Sequence, residues 1–357
     1  MKTWCVVLVA VAQLGLLAFM AGEREWVLRT GRTVYLRTAP IDPRDPMRGD
    51  YVRLGYEIAS VPAAACRDEL VEWIKEAEKS HRRTYRDRRV YAVLEVGGDG
   101  VGRIVTLSNR KPRDGVVLRG RIAWINTEGV QVRFGIEAFF MQQGKALEFE
   151  REQRERVGLP LNIEAALSDE GLAVIRGWRW ESLGLTTAWD PPVETIEARR
   201  EGKEVPAPGL VVELKNWSDR PVTIASDLRA RLRLAPVERE WAKAEYRWVG
   251  AERAAPEIRA VATRVLQPGE SYRETIDLRE REWFVFKTEE GATTAKSLLD
   301  LENHWNAAFC VEYEVTEVPQ SGANGTPKLE AVKLRSPPIE IGTWVESLRR
   351  AANQDGL

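Results

Sequence analysis

The sequence predicts a β-dominated α+β N-terminal domain and a C-terminal immunoglobulin-like β-sandwich, both carried behind one N-terminal transmembrane helix. Three observations carry that prediction. Residues 4–20 form an uncharged apolar run. Most of the remaining chain alternates polar and apolar residues with the period of a strand, and only 67–80 shows a clear helical stripe in the first half. A Pro- and charge-rich stretch at 188–209 divides the body into two parts, and a chain of 357 residues has length for two cores.

The run from Trp4 to Met20 contains no ionisable side chain except the Cys5 thiol, and Gln13 is its one strongly polar member. At about 1.5 Å per residue it just crosses a hydrocarbon core. A cleaved signal peptide is the rival reading, but cleavage favours small residues one and three places before the cut. A cut after Ala21 puts Phe19 at the third place, and a cut after Ala18 puts Leu16 there. Residues 1–22 are therefore expected to be an uncleaved signal anchor. Arg24, Arg29, Arg32 and Arg37 follow the run, so a strict positive-inside count places the body in the cytoplasm. The very short flank before a large domain points to export instead, giving an inner-membrane, single-pass protein with a periplasmic body.

Residues 24–187 are expected to form the first domain. Strands are read at 26–28, 33–37, 51–58, 85–96, 116–125 and 129–140, with a closing hairpin from 162–167 and 172–178. Along 51–58 the period of two puts Val52, Leu54, Tyr56 and Ile58 on one face and Tyr51, Arg53, Gly55 and Glu57 on the other. Leu70, Val71, Ile74 and Ala77 form the apolar stripe of the helix at 67–80. Gly97-Gly98-Asp99-Gly100 reads as a hairpin turn, because it joins two strands and opens no helix to cradle a phosphate. A charged helix is expected over 146–157.

The string Arg48-Gly49-Asp50-Tyr51-Val52-Arg53-Leu54-Gly55-Tyr56, after a Pro/Asp-rich turn, resembles the motif of the GDYXXLXY family. Gly49, Asp50, Tyr51, Leu54 and Tyr56 carry the match, and the resemblance extends over residues 24–185. It implies a bacterial membrane-anchored protein, a β-rich domain closed by a strand pair around a Gly turn, and a multi-span membrane protein as partner; it implies no particular reaction. Gln143-Gly144 stands where the family has Glu-Gly, so no role attached to that glutamate carries over.

Residues 188–209 read as a linker, 210–343 as the second domain and 344–357 as a tail. Short strands at 210–216, 222–225, 272–278, 308–318 and 331–341, with turns such as Gln267-Pro268-Gly269-Glu270, give the sandwich architecture. The Cys…Trp…Cys signature of true immunoglobulin domains is missing.

Composition excludes several functions. Lys+Arg 53 against Asp+Glu 54 leaves no global field to gather nucleic acid. Three cysteines do not make a disulfide framework, and Cys66 and Cys310 are expected as separately buried thiols. His81 and His304 lack companions at ligand spacing, so no zinc site is predicted. The Arg-Gly-Asp-x-Val string is shared with signal peptidases, but the Ser–Lys pair their chemistry needs is missing. No cofactor is implied.

Asp42, Asp45 and Asp50 form the densest carboxylate cluster. Arg44 and Arg48 share its loop, which favours internal ion pairs; a cation held by the three carboxylates is the competing reading, and would make the protein a metal-assisted hydrolase. The basic run from His81 to Arg89 is expected as a solvated face that touches anionic headgroups if it lies near a bilayer. The function expected is non-enzymatic: an envelope binding or assembly module that docks a membrane or envelope partner. Its docking face comprises Arg48, Gly49, Asp50, Tyr51, Arg53 and Glu57, backed by Leu54 and Tyr56. Carbohydrate binding by Trp217, Trp241 and Trp248 on the sandwich is the remaining alternative.

Overall fold

The computed structural model describes residues 2–39, 51–79, 85–141, 145–190, 209–236, 244–248, 263–277, 283–289, 292–297, 308–315 and 332–340. The chain divides into two compact units, residues 1–154 with 161–180, and residues 155–160 with 181–357.

Helix α1 runs from Lys2 to Thr30 without a break. It is long and apolar enough to cross a membrane, and none of its most apolar stretch is buried within the protein. The residues 26–28, expected as a strand, are the last turns of this helix. Glu, Arg and Leu are strong helix formers, and Arg29 Nε donates to Glu25 Oε1 at 2.8 Å, one turn apart. The helix stops at Gly31, whose N–H donates to Val27 O. A Cβ there would lie 2.5 Å from that same oxygen and 3.0 Å from Leu167 O, so the exit from helix to sheet requires glycine.

Two antiparallel sheets share the core of the first unit. Strands β1 (Arg32–Ala39), β2 (Tyr51–Arg53), β3 (Gly55–Tyr56), β4 (Ser60–Pro62), β5 (Arg89–Val96), β6 (Gly102–Ser108), β7 (Val116–Asn126), β8 (Gly129–Arg133), β9 (Ala138–Phe140), β10 (Leu161–Leu167) and β11 (Ala173–Trp180) follow in chain order. One sheet has the order β11-β10-β1-β3, the other β4-β8-β7-β5-β6, and β2 pairs separately with β9. Val34, Leu36, Ile163 and Ala165 from the first sheet meet Val90, Leu118, Ile122 and Val132 from the second in a single buried cluster. Helix α2 (Glu69–Lys79) closes it with Leu70, Trp73 and Ile74, and helix α3 (Lys145–Glu155) adds Phe149. The turns at Gly100 and Gly171 take positive φ as their positions demand.

Two predicted strands are broken, for one shared reason. The stretch 51–58 is β2, then β3, then a 3-10 turn at Glu57–Ala59, although Val52, Leu54, Tyr56 and Ile58 are all buried as the alternation requires. The stretch 129–140 is interrupted after Arg133 by a strap, residues 134–137, in which Gly135 has φ 81°. The Glu137 carboxylate accepts the N–H groups of Phe134 and Gly135, replacing the ladder bonds that a continuous strand would have supplied. The interruptions face each other: Leu54 N–H donates to Glu137 O at 2.8 Å.

The second unit is also antiparallel β. Leu183–Asp190 pairs with Gly209–Asn216 over eight residues, and Gly209–Asn216 pairs in turn with Ser271–Ile276. The stretch 183–190, expected to end the first domain and enter the linker, thus belongs to a strand of the second unit: its alternating Leu183, Leu185 and Thr187 face the second core rather than solvent. Val222–Ala225 pairs with Thr263–Leu266, and a further seven-stranded sheet contains Ala308–Val315. Tyr313 is fully buried, and its hydroxyl accepts the N–H of Ala225 at 3.0 Å.

Candidate functional site: an arginine-lined cleft at the end of the apolar helix

The outer face of the second sheet carries a transverse row of arginines. Arg89 on β5 pairs in register with Arg121 on β7, and Arg121 pairs with Arg133 on β8. Arg119, two residues along β7, projects to the same side and pairs with Tyr91. Directly paired cross-strand side chains start about 5 Å apart, and like charges in such positions repel. A row of three arginines therefore costs stability unless something negative joins it.

Asp87 supplies part of that charge. It holds a left-handed φ of 66°, a conformation Asp tolerates better than most residues. Its carboxylate pairs with Arg133 and its carbonyl accepts Arg121 Nη1 at 2.9 Å. Arg119 and Arg89 have no such partner within the row. Lys111, first, and Arg119, at longer range, hold Glu170 below the usual carboxylate range.

The four arginines open into a cleft of ≈420 Å³ whose lining also includes Arg24, Phe134, Gly135 and Glu137. Arg24 comes from helix α1, beyond the apolar run. Five arginines thus converge with one carboxylate, and both oxygens of that carboxylate, on Glu137, are occupied by backbone N–H groups. Gly120 forms the floor: a Cβ there would stand 2.4 Å from Val132 Cγ1 and 3.0 Å from Phe134 Cδ1. Guanidinium groups in a partly enclosed space offer planar forks of donors suited to phosphate or carboxylate oxygens.

The family-type motif builds the wall of this cleft. Tyr56 is buried, and its hydroxyl donates to Ile136 O at 2.7 Å. Burial, then the negative charge of Glu137, push the phenol well above its ordinary range, so it remains a donor across physiological pH. Together with the bond from Leu54 N–H to Glu137 O, it pins the C-terminal end of the strap whose Phe134, Gly135 and Glu137 line the cleft with the arginines.

The predicted site residues are distributed differently from the sequence reading. Leu54 and Tyr56 are core residues, as expected, but they reach the strap rather than supporting an outer docking face. Arg53 and Glu57 are exposed. Tyr51 forms part of β2 through its backbone. Asp42, Asp45, Arg48, Gly49 and Asp50 lie outside the described residues, as do His81, His304 and Trp241; among the described residues, no group of three or more His, Cys, Asp or Glu is placed to hold a metal. Cys66 and Cys310 are buried and free. Trp217 is partly exposed, with Lys215 Nζ 4.0 Å above its ring, so one face of that indole is already occupied.

The basic run at 81–89 splits by role in its described part. Arg88 stacks over Trp73 and Tyr85, 4.8 and 5.2 Å from their centroids, which is packing. Arg89 enters the cleft. Sequence reasoning missed Arg119, Arg121 and Arg133, although each stood visibly at an outward position of a predicted strand. Only the register of three strands aligns them.

The family model described as GDYXXLXY protein matches residues 13–177, a stretch that begins inside α1 and ends within β11. No curated protein and no solved structure matches the chain.

Proposed function

We propose, from the membership of residues 13–177 in the GDYXXLXY family, that this protein is a membrane-anchored binding module of the cell envelope. Its working site is the arginine-lined cleft, which captures an anionic group without chemically changing it. The observation that carries this reading is the convergence of Arg89, Arg119, Arg121 and Arg133 with Arg24 of the anchor in one cleft. Neutralising that row supplies the binding energy. A catalytic reading finds less support, since the cleft offers cations and donors but neither a nucleophile nor a free carboxylate base. In this reading the body lies on the periplasmic side of the inner membrane, and the second unit is an immunoglobulin-like sandwich that carries contacts to other envelope components, a multi-span membrane protein among them.

The test is isothermal titration of pyrophosphate into the full-length protein held in zwitterionic nanodiscs. One saturable, salt-sensitive site is expected, weakened at least about tenfold in the double variant Arg119→Gln/Arg121→Gln, since hydrogen bonds to charged groups contribute about 1.5–3 kcal/mol each. Absence of saturable binding, or binding that the double variant leaves unchanged, refutes the reading.

A further inference from the structure

We infer that the cleft takes the phosphate of an anionic phospholipid belonging to the same bilayer that holds the anchor. This rests on the anion-binding reading above and adds the identity of the ligand and the direction from which it enters.

The geometry of α1 places the cleft at headgroup depth. The apolar run ends at Met20, and Arg24 follows four residues later on the same unbroken helix, about 6 Å further along the axis. The polar layer on each side of a hydrocarbon core is itself roughly 5–8 Å thick. Trp4 and Trp26 are both strongly exposed on this helix, 80% and 69%, and lie about 33 Å apart along it, close to the spacing of the two interfacial aromatic belts. Both measures place Arg24 among phosphates.

The body begins at the same level. Val27 is the first buried residue of the helix, only 3% exposed. Arg176 then secures the junction by donating to Leu28 O and to Thr33 Oγ1. Arg24 is therefore separated from the body's first buried contact by three residues, and the cleft it helps to line is built from the membrane-proximal part of the first unit. Leu172 and Ala173 complete the lining, giving the cleft an apolar margin where glycerol and the first acyl carbons of a lipid would rest.

A free soluble anion shares the phosphate chemistry but does not account for Arg24. A site for a solute has no need to stand at headgroup depth, whereas a lipid phosphate is held at that height by the bilayer itself. A lipid is also present at high local concentration, which makes a half-open cleft sufficient for occupancy.

The test uses native mass spectrometry of the full-length protein released from detergent, titrated separately with phosphatidylglycerol, phosphatidylcholine and soluble sn-glycerol phosphate. Phosphatidylglycerol is expected to bind with discrete stoichiometry and at least tenfold in preference to phosphatidylcholine. Each cleft arginine replaced should weaken it about fivefold, so Arg119→Gln/Arg121→Gln should lose about 25-fold. Arg220→Gln, an exposed arginine of the second unit with 87% of its side chain accessible, should leave binding unchanged, and circular dichroism should show both variants folded. Equal binding of the two lipids, or phosphatidylglycerol binding insensitive to the double variant, overturns the inference. So does binding of sn-glycerol phosphate at the cleft arginines without lipid preference, and in that case the anion-binding reading survives. If pyrophosphate and lipid both ignore the cleft arginines, the two readings fall together.

Discussion

Replacing Tyr56 with Phe removes one oxygen atom and leaves the ring in place, which makes it the cleanest probe of the link between the family motif and the cleft. The hydroxyl donates to Ile136 O at 2.7 Å, and both residues are buried, at 3% exposure each. Phe fills the same volume but leaves that carbonyl without its donor in a region water does not reach. An unsatisfied buried acceptor costs about 1–3 kcal/mol, and for a unit of this size each kcal/mol lowers Tm by about 2–4 °C. A shift near 6 °C is therefore the expected outcome, read by calorimetry of the full-length protein in detergent. Two units with separate cores should unfold in separable steps, so the transition of the second unit serves as an internal reference. The variant should also weaken pyrophosphate binding, because the freed carbonyl lies in the strap that forms the cleft wall. A pH series adds a second, independent signature. In the unfolded chain the phenol loses its proton near its ordinary value of 10.0, while burial, and then Glu137, hold it protonated in the fold well above that. Above about pH 10 the unfolded state therefore binds fewer protons than the native state, and stability falls as pH rises, by at most about 1.4 kcal/mol per pH unit. Below that pH the stabilisation is fully present. Tyr56→Phe should lack this alkaline slope relative to wild type. Tyr313 in the second unit, pushed up to about 12 chiefly by its own burial, contributes the same slope to both proteins and cancels in the comparison. If Tyr56→Phe melts within about 1 °C of wild type with an unchanged alkaline slope, the hydroxyl does not hold the strap and the link between motif and cleft is wrong.

Other outcomes follow from single contacts. Gly120→Val places a branched side chain where even a Cβ stands 2.4 Å from Val132 Cγ1; a loss of about 1–3 kcal/mol is expected from overpacking the core beneath the arginine row, and a variant as stable as wild type would show that Val132 and Phe134 yield to the added side chain. The Cys66 thiol is 1% exposed and pushed up to about 11, burial outweighing the opposing influence of Arg67. Because the thiolate is the reactive form, it should resist maleimide in the native protein at about pH 8 and react on unfolding in urea; rapid native labelling at that position contradicts its burial. Alkaline carbonate washing of membranes should leave the protein in the pellet, since α1 is a 29-residue helix with its apolar stretch uncovered; release into the wash removes the anchor from the account.

The parts of this protein that were legible in its sequence are those set by local pattern. The apolar run, the alternation in 51–58, the helix α2 and the Gly turns at 97–100 and 168–171 all depend on neighbours within a few residues, and each stands in the structure; within the predicted stripe of α2 Leu70 and Ile74 are buried, but Val71 is exposed and Trp73 takes a place on the inward face. Where the sequence reading failed, contacts other than strand alternation had intervened, some local and some distant in the chain. Residues 26–28 stayed helical because the helix continues until Gly31 meets Leu167. The stretch 129–140 broke because Glu137 turned its carboxylate onto Phe134 and Gly135, while its backbone carbonyl accepted Leu54.

The division for the candidate site is the same. The sequence by itself determined that residues 4–20 form a run apolar enough to cross a membrane and that Leu54 and Tyr56 face inward. Those are statements about period and polarity, which a chain carries locally. That Arg89, Arg121 and Arg133 form one row, that Arg24 joins them from α1, and that Tyr56 steadies the wall beside them were decided only by tertiary structure. Register is fixed by pairing between strands as far apart as 89 and 133, and no local pattern records which residues will stand opposite one another.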